Sequence, residues 1–212
     1  MRIMNRRLVL LAAGAVLIGG CATPSTPSGG SPSSADVPIV EESVGAGLVY
    51  QGDGFEITVP QGWVKAPDDL RHRADAALEV GPLFDGQEVL PPSVMVWVDR
   101  GDTRGTAGLQ SLAQQASVKA QLPDAEIGDM QHATVSGAID ATVFRYTYEV
   151  EASTSPLGTP VAAGRYTAMD MVAQAESGKP MISVRYNSAV ADFDQVTWDS
   201  IVASLVVKSD PA

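Results

Sequence analysis

Along the chain the apolar positions change period several times, and each change marks an element. Phe55-Glu56-Ile57-Thr58-Val59 alternates apolar and polar residues, the mark of a half-buried strand, and Pro60-Gln61-Gly62 ends it in a turn that delivers Trp63. Ala77 to Leu83 and Ser93 to Val98 predict two more strands, separated by a Gly/Pro-rich loop carrying Pro91-Pro92. Thr106 through Leu122 then shifts to helical spacing. Leu109, Leu112, Ala116 and Ala120 share the face expected to be buried, Gln110, Gln114, Gln115 and Lys119 the solvated one, and Pro123 closes the segment. Residues 126–135, 138–151, 162–175 and 181–188 return to strand patterns, spaced closely enough for an antiparallel meander. Asp192 is expected to cap a last helix, with Gln195 in the third position of a capping box and Val196, Trp198, Ile201, Val202 and Leu205 as its buried stripe.

Strands, a helix, a run of strands and a second helix predict an α+β domain whose mainly antiparallel sheet is flanked by helices. The part before it reads differently. Arg2, Arg6 and Arg7 precede the uninterrupted non-polar run Leu8 to Gly20, a run too short to span a bilayer and typical of an export signal. Ile18-Gly19-Gly20-Cys21 resembles a bacterial lipobox, so cleavage is expected between Gly20 and Cys21, with a diacylglyceryl group on the Cys21 thiol. Residues 22–35 hold no charge and nothing larger than Pro or Thr, which makes them a tether of the composition also found in O-glycosylated stalks. The expected organisation is signal peptide 1–20, lipidated Cys21 and tether 21–45, one domain 46–208 and a tail 209–212.

Composition sharpens the address. Lys and Arg number 14 against 25 Asp and Glu, and loss of residues 1–20 removes three Arg and no acid, which carries the net charge from −11 to −14. Such a chain is repelled by phosphate backbones and anionic headgroups, so neither nucleic acid nor a polybasic membrane patch is expected. Cys21 is the sole cysteine, which excludes an intramolecular disulfide and leaves that thiol to lipid. Two or three acyl chains, at about 0.8 kcal/mol per buried methylene, hold a protein at a membrane durably. The expected location is the extracytoplasmic face of the cell membrane.

Two segments together resemble a known family. Gly54-Phe55-Glu56-Ile57-Thr58-Val59-Pro60-Gln61-Gly62-Trp63 is similar to the opening strand and P-x-G-W turn of the PsbP-like superfamily, and Trp198-Asp199-Ser200-Ile201-Val202-Ala203-Ser204-Leu205 to its closing helix. With the lipobox and Pro/Ser tether, the resemblance is best to the LpqN/LpqT family of actinobacterial lipoproteins. It spans about residues 46–208 and implies an α/β/α sandwich with binding or assembly work. No catalytic residue of that family maps onto this chain.

Candidate chemistry is sparse. The two histidines, His72 and His132, lie far apart, without a second ligand at helical or finger spacing, and neither a metal nor a cofactor is expected. There is no G-x-S-x-G elbow, P-loop or G-x-G-x-x-G. Asp99 and Asp102 in Asp-Arg-Gly-Asp-Thr-Arg-Gly read as a connection whose Asp or Thr caps the helix near Thr103 or Thr106. Trp63, Trp97 and Trp198 sit at packing positions, with Trp63 and Trp97 as candidate ligand-stacking residues. Met169 and Met171 share a strand face with Arg165 and Thr167, either as core filler or as the lining of a soft groove. The expectation is a non-enzymatic module that binds an envelope protein or an amphipathic envelope lipid; the alternative is an envelope hydrolase of glycan or ester bonds.

Overall fold

The computed structural model describes residues 40–44, 47–67, 75–84, 88–89, 92–101, 105–154, 160–176 and 179–209. The export signal, the Gly20–Cys21 junction, the tether up to residue 39, His72, Pro91, Asp102 and Thr103 lie outside the described residues.

A small sheet comes first: β1 (Val40–Val44), β2 (Gly47–Gly52) and β3 (Phe55–Pro60), all antiparallel. Asp53-Gly54 makes a two-residue turn between β2 and β3, with Gly54 at φ +87°, the geometry such hairpins need. The large sheet uses β4 (Val64–Lys65), β5 (Leu78–Gly81), β8 (Ser93–Asp99), β10 (Gln131–His132), β11 (Ala138–Val150), β14 (Gly164–Ala175) and β15 (Met181–Ala189), in the spatial order β10-β11-β14-β15-β8-β5-β4, with β9 (Glu126–Ile127) also on β11. Two short hairpins stand apart, β6 (Leu83–Phe84) with β7 (Glu88–Val89) and β12 (Ser153–Thr154) with β13 (Pro160–Val161). The helices are α1 (Ala107–Gln121) and α2 (Gln195–Ser204), and β16 (Val206–Val207) returns to pair with β3.

Strand alternation sends Ile182, Val184 and Tyr186 to one face of the large sheet, with Met169, Met171 and Ala173 of β14 beside them in register. That face packs on Tyr50, Phe55, Ile57 and Val59 of the small sheet and on Trp198, Ile201 and Leu205 of the α2 segment, giving the principal core. Ser204 closes an otherwise open stretch of β3: its hydroxyl accepts from the Thr58 N–H at 3.0 Å and can donate to the Ile201 carbonyl at 2.9 Å. The opposite face carries Thr142, Phe144 and Tyr146 of β11, which α1 covers through Ala107, Ser111 and Val118.

Several expectations are met. The Phe55 strand, the Pro60 turn with the Trp63 N–H on the Pro60 carbonyl, the helix capped by Thr106, and the α+β order with a mainly antiparallel sheet all stand. Others need correction. Leu109 and Leu112 are 59% and 50% exposed, and Ala116 and Ala120 are exposed too. The helix docks instead through Ala107, which lets it approach closely, and through polar links: Ser111 with Thr142 at 2.6 Å and Gln114 to Ser183 at 3.1 Å. The last helix starts two residues late, on Asp194 rather than Asp192. Val190–Asp192 forms a 3-10 turn that lets Phe193 pack on Tyr186, and Val196 is left 74% exposed. Gln195 bonds Asp199 rather than closing a capping box. The 126–135 strand divides in two, because between the Ile127–Tyr146 and Gln131–Val143 pairs three residues on one strand pass two on the other. β1 extends the folded part to Val40, inside the stretch assigned to the tether.

Burial predicts the mutational contrast. Leu205→Ala empties a fully buried position and is expected to lower unfolding stability by about 2–5 kcal/mol. Leu109→Ala, at an exposed position, is expected to stay within about 0.5 kcal/mol. Urea titration of the two variants checks the pair; a comparable loss for both would contradict the observed helix face.

Candidate functional site

Two polar loci stand out, one on each face of the large sheet. On the α1 side, Asp170 of β14 and Arg185 of β15 are direct cross-strand partners. Arg185 grips Asp170 with two parallel bonds, Nε to Oδ1 at 2.7 Å and Nη2 to Oδ2 at 2.6 Å, and the side chains are only 16% and 4% exposed. The guanidinium lies 5.7 Å from the Trp97 ring centre and 5.8 Å from that of Tyr146. Burial is the largest single influence and opposes its charge, but the attraction and hydrogen bonds of the Asp170 carboxylate, together with Tyr146 and Tyr148, outweigh it and hold the Arg185 pKa above the ordinary guanidinium value. Burial likewise raises Tyr146, and it pushes Tyr148, whose hydroxyl donates to Asn187 Oδ1 at 3.0 Å, up to about 12. The Trp97 Nε1–H is buried without a hydrogen-bond partner. The Asp170–Arg185 pair is a clamp between the middle strands, its two charges cancelling each other.

On the other face the sheet edge and α2 leave a cleft of about 320 Å³, lined by Gln131, Ala133, Thr134 and Val143 on the sheet side, Met169 at the floor, and Gln195, Trp198, Asp199, Val202 and Ala203 from α2. Each wall has a local cause. Asp194 starts α2 by accepting from the N–H groups of Val196 and Thr197 at 3.0 and 3.1 Å. The Thr197 hydroxyl also donates to Asp194 at 2.6 Å, the main reason its carboxyl sits below the usual range. Helical spacing then turns Gln195, Trp198, Asp199 and Val202 toward the sheet edge. The opposite wall follows the slip at residues 128–130, which sets β10 off from β9. Asp199 is the one charged side chain among the lining residues, and it accepts from Gln195 Nε2 at 2.8 Å.

The two tryptophans singled out in the sequence are not brought together. Trp63 packs on the principal core 6.3 Å from Tyr186, whereas Trp97 lies on the opposite face against Arg185. The third tryptophan, Trp198, is the one that reaches the cleft, stacked on Tyr186 at 6.4 Å. Met171 is fully buried and Met169 nearly so, with Met169 at the cleft floor. His132 is exposed, 3.9 Å from Asp140. Asp99 accepts from the Gly101 N–H in its own turn, and Arg100 pairs with Asp53 at 2.8 Å. Among the described residues, no three His, Cys, Asp or Glu side chains converge as a metal site would require. The sequence reading missed Arg185, Asp170 and the cleft amides; two opposite charges inside otherwise apolar strands were the available signal for the first pair.

No family model and no curated protein matches the chain. Solved structures similar to it include a protein of Bacteroides thetaiotaomicron, at 10% identity over 74% of this chain with a TM-score of 0.47; the chain spans 46% of that protein's length. Another is LpqN of Mycobacterium tuberculosis, described as involved in cell envelope biogenesis, at 14% identity over 82% of this chain and 94% of that one, also with a TM-score of 0.47.

Two measurements probe the clamp. Arg185→Met leaves Asp170 buried without its partner and is expected to cost about 3–5 kcal/mol, most of it recovered in the double variant Arg185→Met/Asp170→Leu. Strictly additive losses would refute the coupling. For the tyrosines the sign is fixed by protons: above pH 10 the unfolded chain gives up its phenolic proton while folded Tyr148 keeps it until about 12. Stability is therefore expected to fall between those values, and Tyr148→Phe to flatten that fall, as followed by circular dichroism against pH.

Proposed function

We propose that the chain is a lipid-anchored, extracytoplasmic accessory module with a PsbP-like α/β/α arrangement. It binds an envelope protein or an amphipathic envelope lipid rather than transforming it. The single observation behind the binding role is the cleft between α2 and the β10–β11 edge, where apolar Trp198, Met169, Val143 and Val202 lie beside the amides of Gln131 and Gln195. A mixed lining of that kind, with few but placed polar groups, suits recognition.

The anchoring half of the reading is supported by sequence. A basic start, an apolar run and Ile18-Gly19-Gly20-Cys21 precede an uncharged tether. No helix among the described residues is long and apolar enough to cross a membrane. Lipid on Cys21 supplies the attachment, and the strongly acidic domain is held off an anionic surface by its own field.

Each half has its own experiment. Cys21→Ala is expected to move the protein from the membrane fraction to the soluble extracytoplasmic fraction; retention in the membrane would end the anchoring reading. A photo-crosslinking residue at Ala203, an exposed cleft position, is expected to label a discrete partner or lipid in intact membranes, and one at Leu109 on α1 is not. Equal labelling from both positions, or labelling from Leu109 alone, would remove the cleft as the binding site.

A further inference from the structure

The cleft has a second property, carried by main chain rather than side chains. β10 is the terminal strand of the large sheet among the described residues, bonded to β11 alone. The Ala133 N–H donates to the Ala141 carbonyl at 2.9 Å, while Gln131 stands opposite Val143 and His132 opposite Thr142. In an antiparallel ladder alternate residues turn their main-chain groups toward the same neighbour. Gln131 and Ala133 therefore face β11, and the N–H and C=O groups of His132 and Thr134 point away from the sheet, on exposed residues. An open edge beside an apolar-floored cleft, with a helix as the far wall, is the geometry that receives an added strand.

We infer that the ligand of this cleft is an extended peptide segment of positive charge, taken up as an extra antiparallel or parallel strand on β10. The inference rests on the preceding reading that the cleft is the binding site, and it names the class of partner. Three observations choose this occupant. The outward groups of His132 and Thr134 match a peptide backbone, which offers donors and acceptors at strand spacing; an acyl chain would leave them unmet. Successive side chains of a strand alternate, so every second residue of the incoming segment lies on the face of the sheet that carries the cleft, beside its outer lining residues Gln131 and Ala133. The one lining charge is Asp199, with Asp194 and Asp129 exposed nearby in the chain, on a domain of strongly negative net charge. Complementarity calls for Lys or Arg at one of the inward positions.

The test uses the chain lacking residues 1–20 and carrying Cys21→Ala, with a capped peptide of about seven residues, long enough to cover the edge at roughly 3.3 Å per residue. Threonines alternate with valine, valine, lysine and valine on the inward side; a twin peptide has glutamate for the lysine. In amide NMR titrations the lysine peptide is expected to shift His132, Thr134 and the α2 residues 195–203, to slow hydrogen exchange at His132 and Thr134, and to bind about fivefold tighter than its twin. Asp199→Asn is expected to abolish that difference. Thr134→Pro removes one outward N–H, and Ala203→Arg obstructs the cleft from an exposed helix position; each is expected to weaken binding by about tenfold. If Thr134→Pro fails to fold, Ala203→Arg alone decides.

Equal binding of the two peptides, shifts centred on α1 or on the Arg185 face, or indifference to Ala203→Arg would overturn the inference. Cleft shifts produced by phosphatidylglycerol vesicles and not by the lysine peptide would also overturn it, while leaving the cleft as a binding site. Failure of the Ala203 crosslink, by contrast, removes the site itself.

Discussion

The stretch Thr167 to Ala173 of β14 is buried on both faces, and a strand in that position requires two covers. On one side the cover is the small sheet with α2, whose Phe55, Ile57, Trp198, Ile201 and Leu205 meet Met169, Met171 and Ala173. On the other it is α1, meeting Ala168 and Val172. The two covers are unlike. The first is a dense apolar contact; the second is thin, with Ala107 and Ser111 set close to the sheet and hydrogen bonds replacing bulk. Between them the middle strands hold a charge pair, Asp170 with Arg185, whose removal from water is tolerable because the two groups meet through two parallel hydrogen bonds.

The cleft is a consequence of how the first cover ends. α2 is ten residues long and packs chiefly on β3 and the central strands, and it stops short of closing against β10. The pairing slip after Ile127 sets β10 as a separate short edge strand, and the gap lies between it and α2. Trp198 links the gap to the core: its ring stacks on Tyr186, which in turn lies near Trp63 and Phe193. One wall of the gap is therefore rigid packing and the other is a strand with main-chain groups to spare.

Much of the framework is legible in sequence because the relevant signals are local. Period-two alternation at Phe55–Val59, the Pro60-Gln61-Gly62 turn and the long Thr/Val/Tyr-rich strands need no partner to be recognised. What escapes is decided between distant segments. The face of α1 escapes because all but one of its contact residues, Ala107, Ser111, Gln114 and Val118, are small or polar, suited to closeness and hydrogen bonding, whereas its two leucines are the residues left out. β1 escapes because Val-Glu-Glu-Ser-Val is too polar to announce a strand and exists by pairing with β2. β8 pairs with β15, far along the chain, as well as with β5, the strand before it in the sheet, and no local pattern encodes the first of these pairings. The cleft joins residues 131–134 to residues 195–203 and becomes visible only with both in place.

The two-residue strand β16 lies near the C-terminal end of the described chain, yet it supplies β3 with its second neighbour and meets Ser136 in a parallel bridge, the Val207 N–H on the Ser136 carbonyl at 2.8 Å. The crossing is so close that a methyl at Gly137, whose φ is +73°, would collide with the Val207 carbonyl. Synthesis runs from the opposite end. The β2–β3 hairpin must therefore wait, one flank unfinished, until residue 207 has emerged, so a contact made early in the chain is completed only after all the strands of the large sheet have been synthesised.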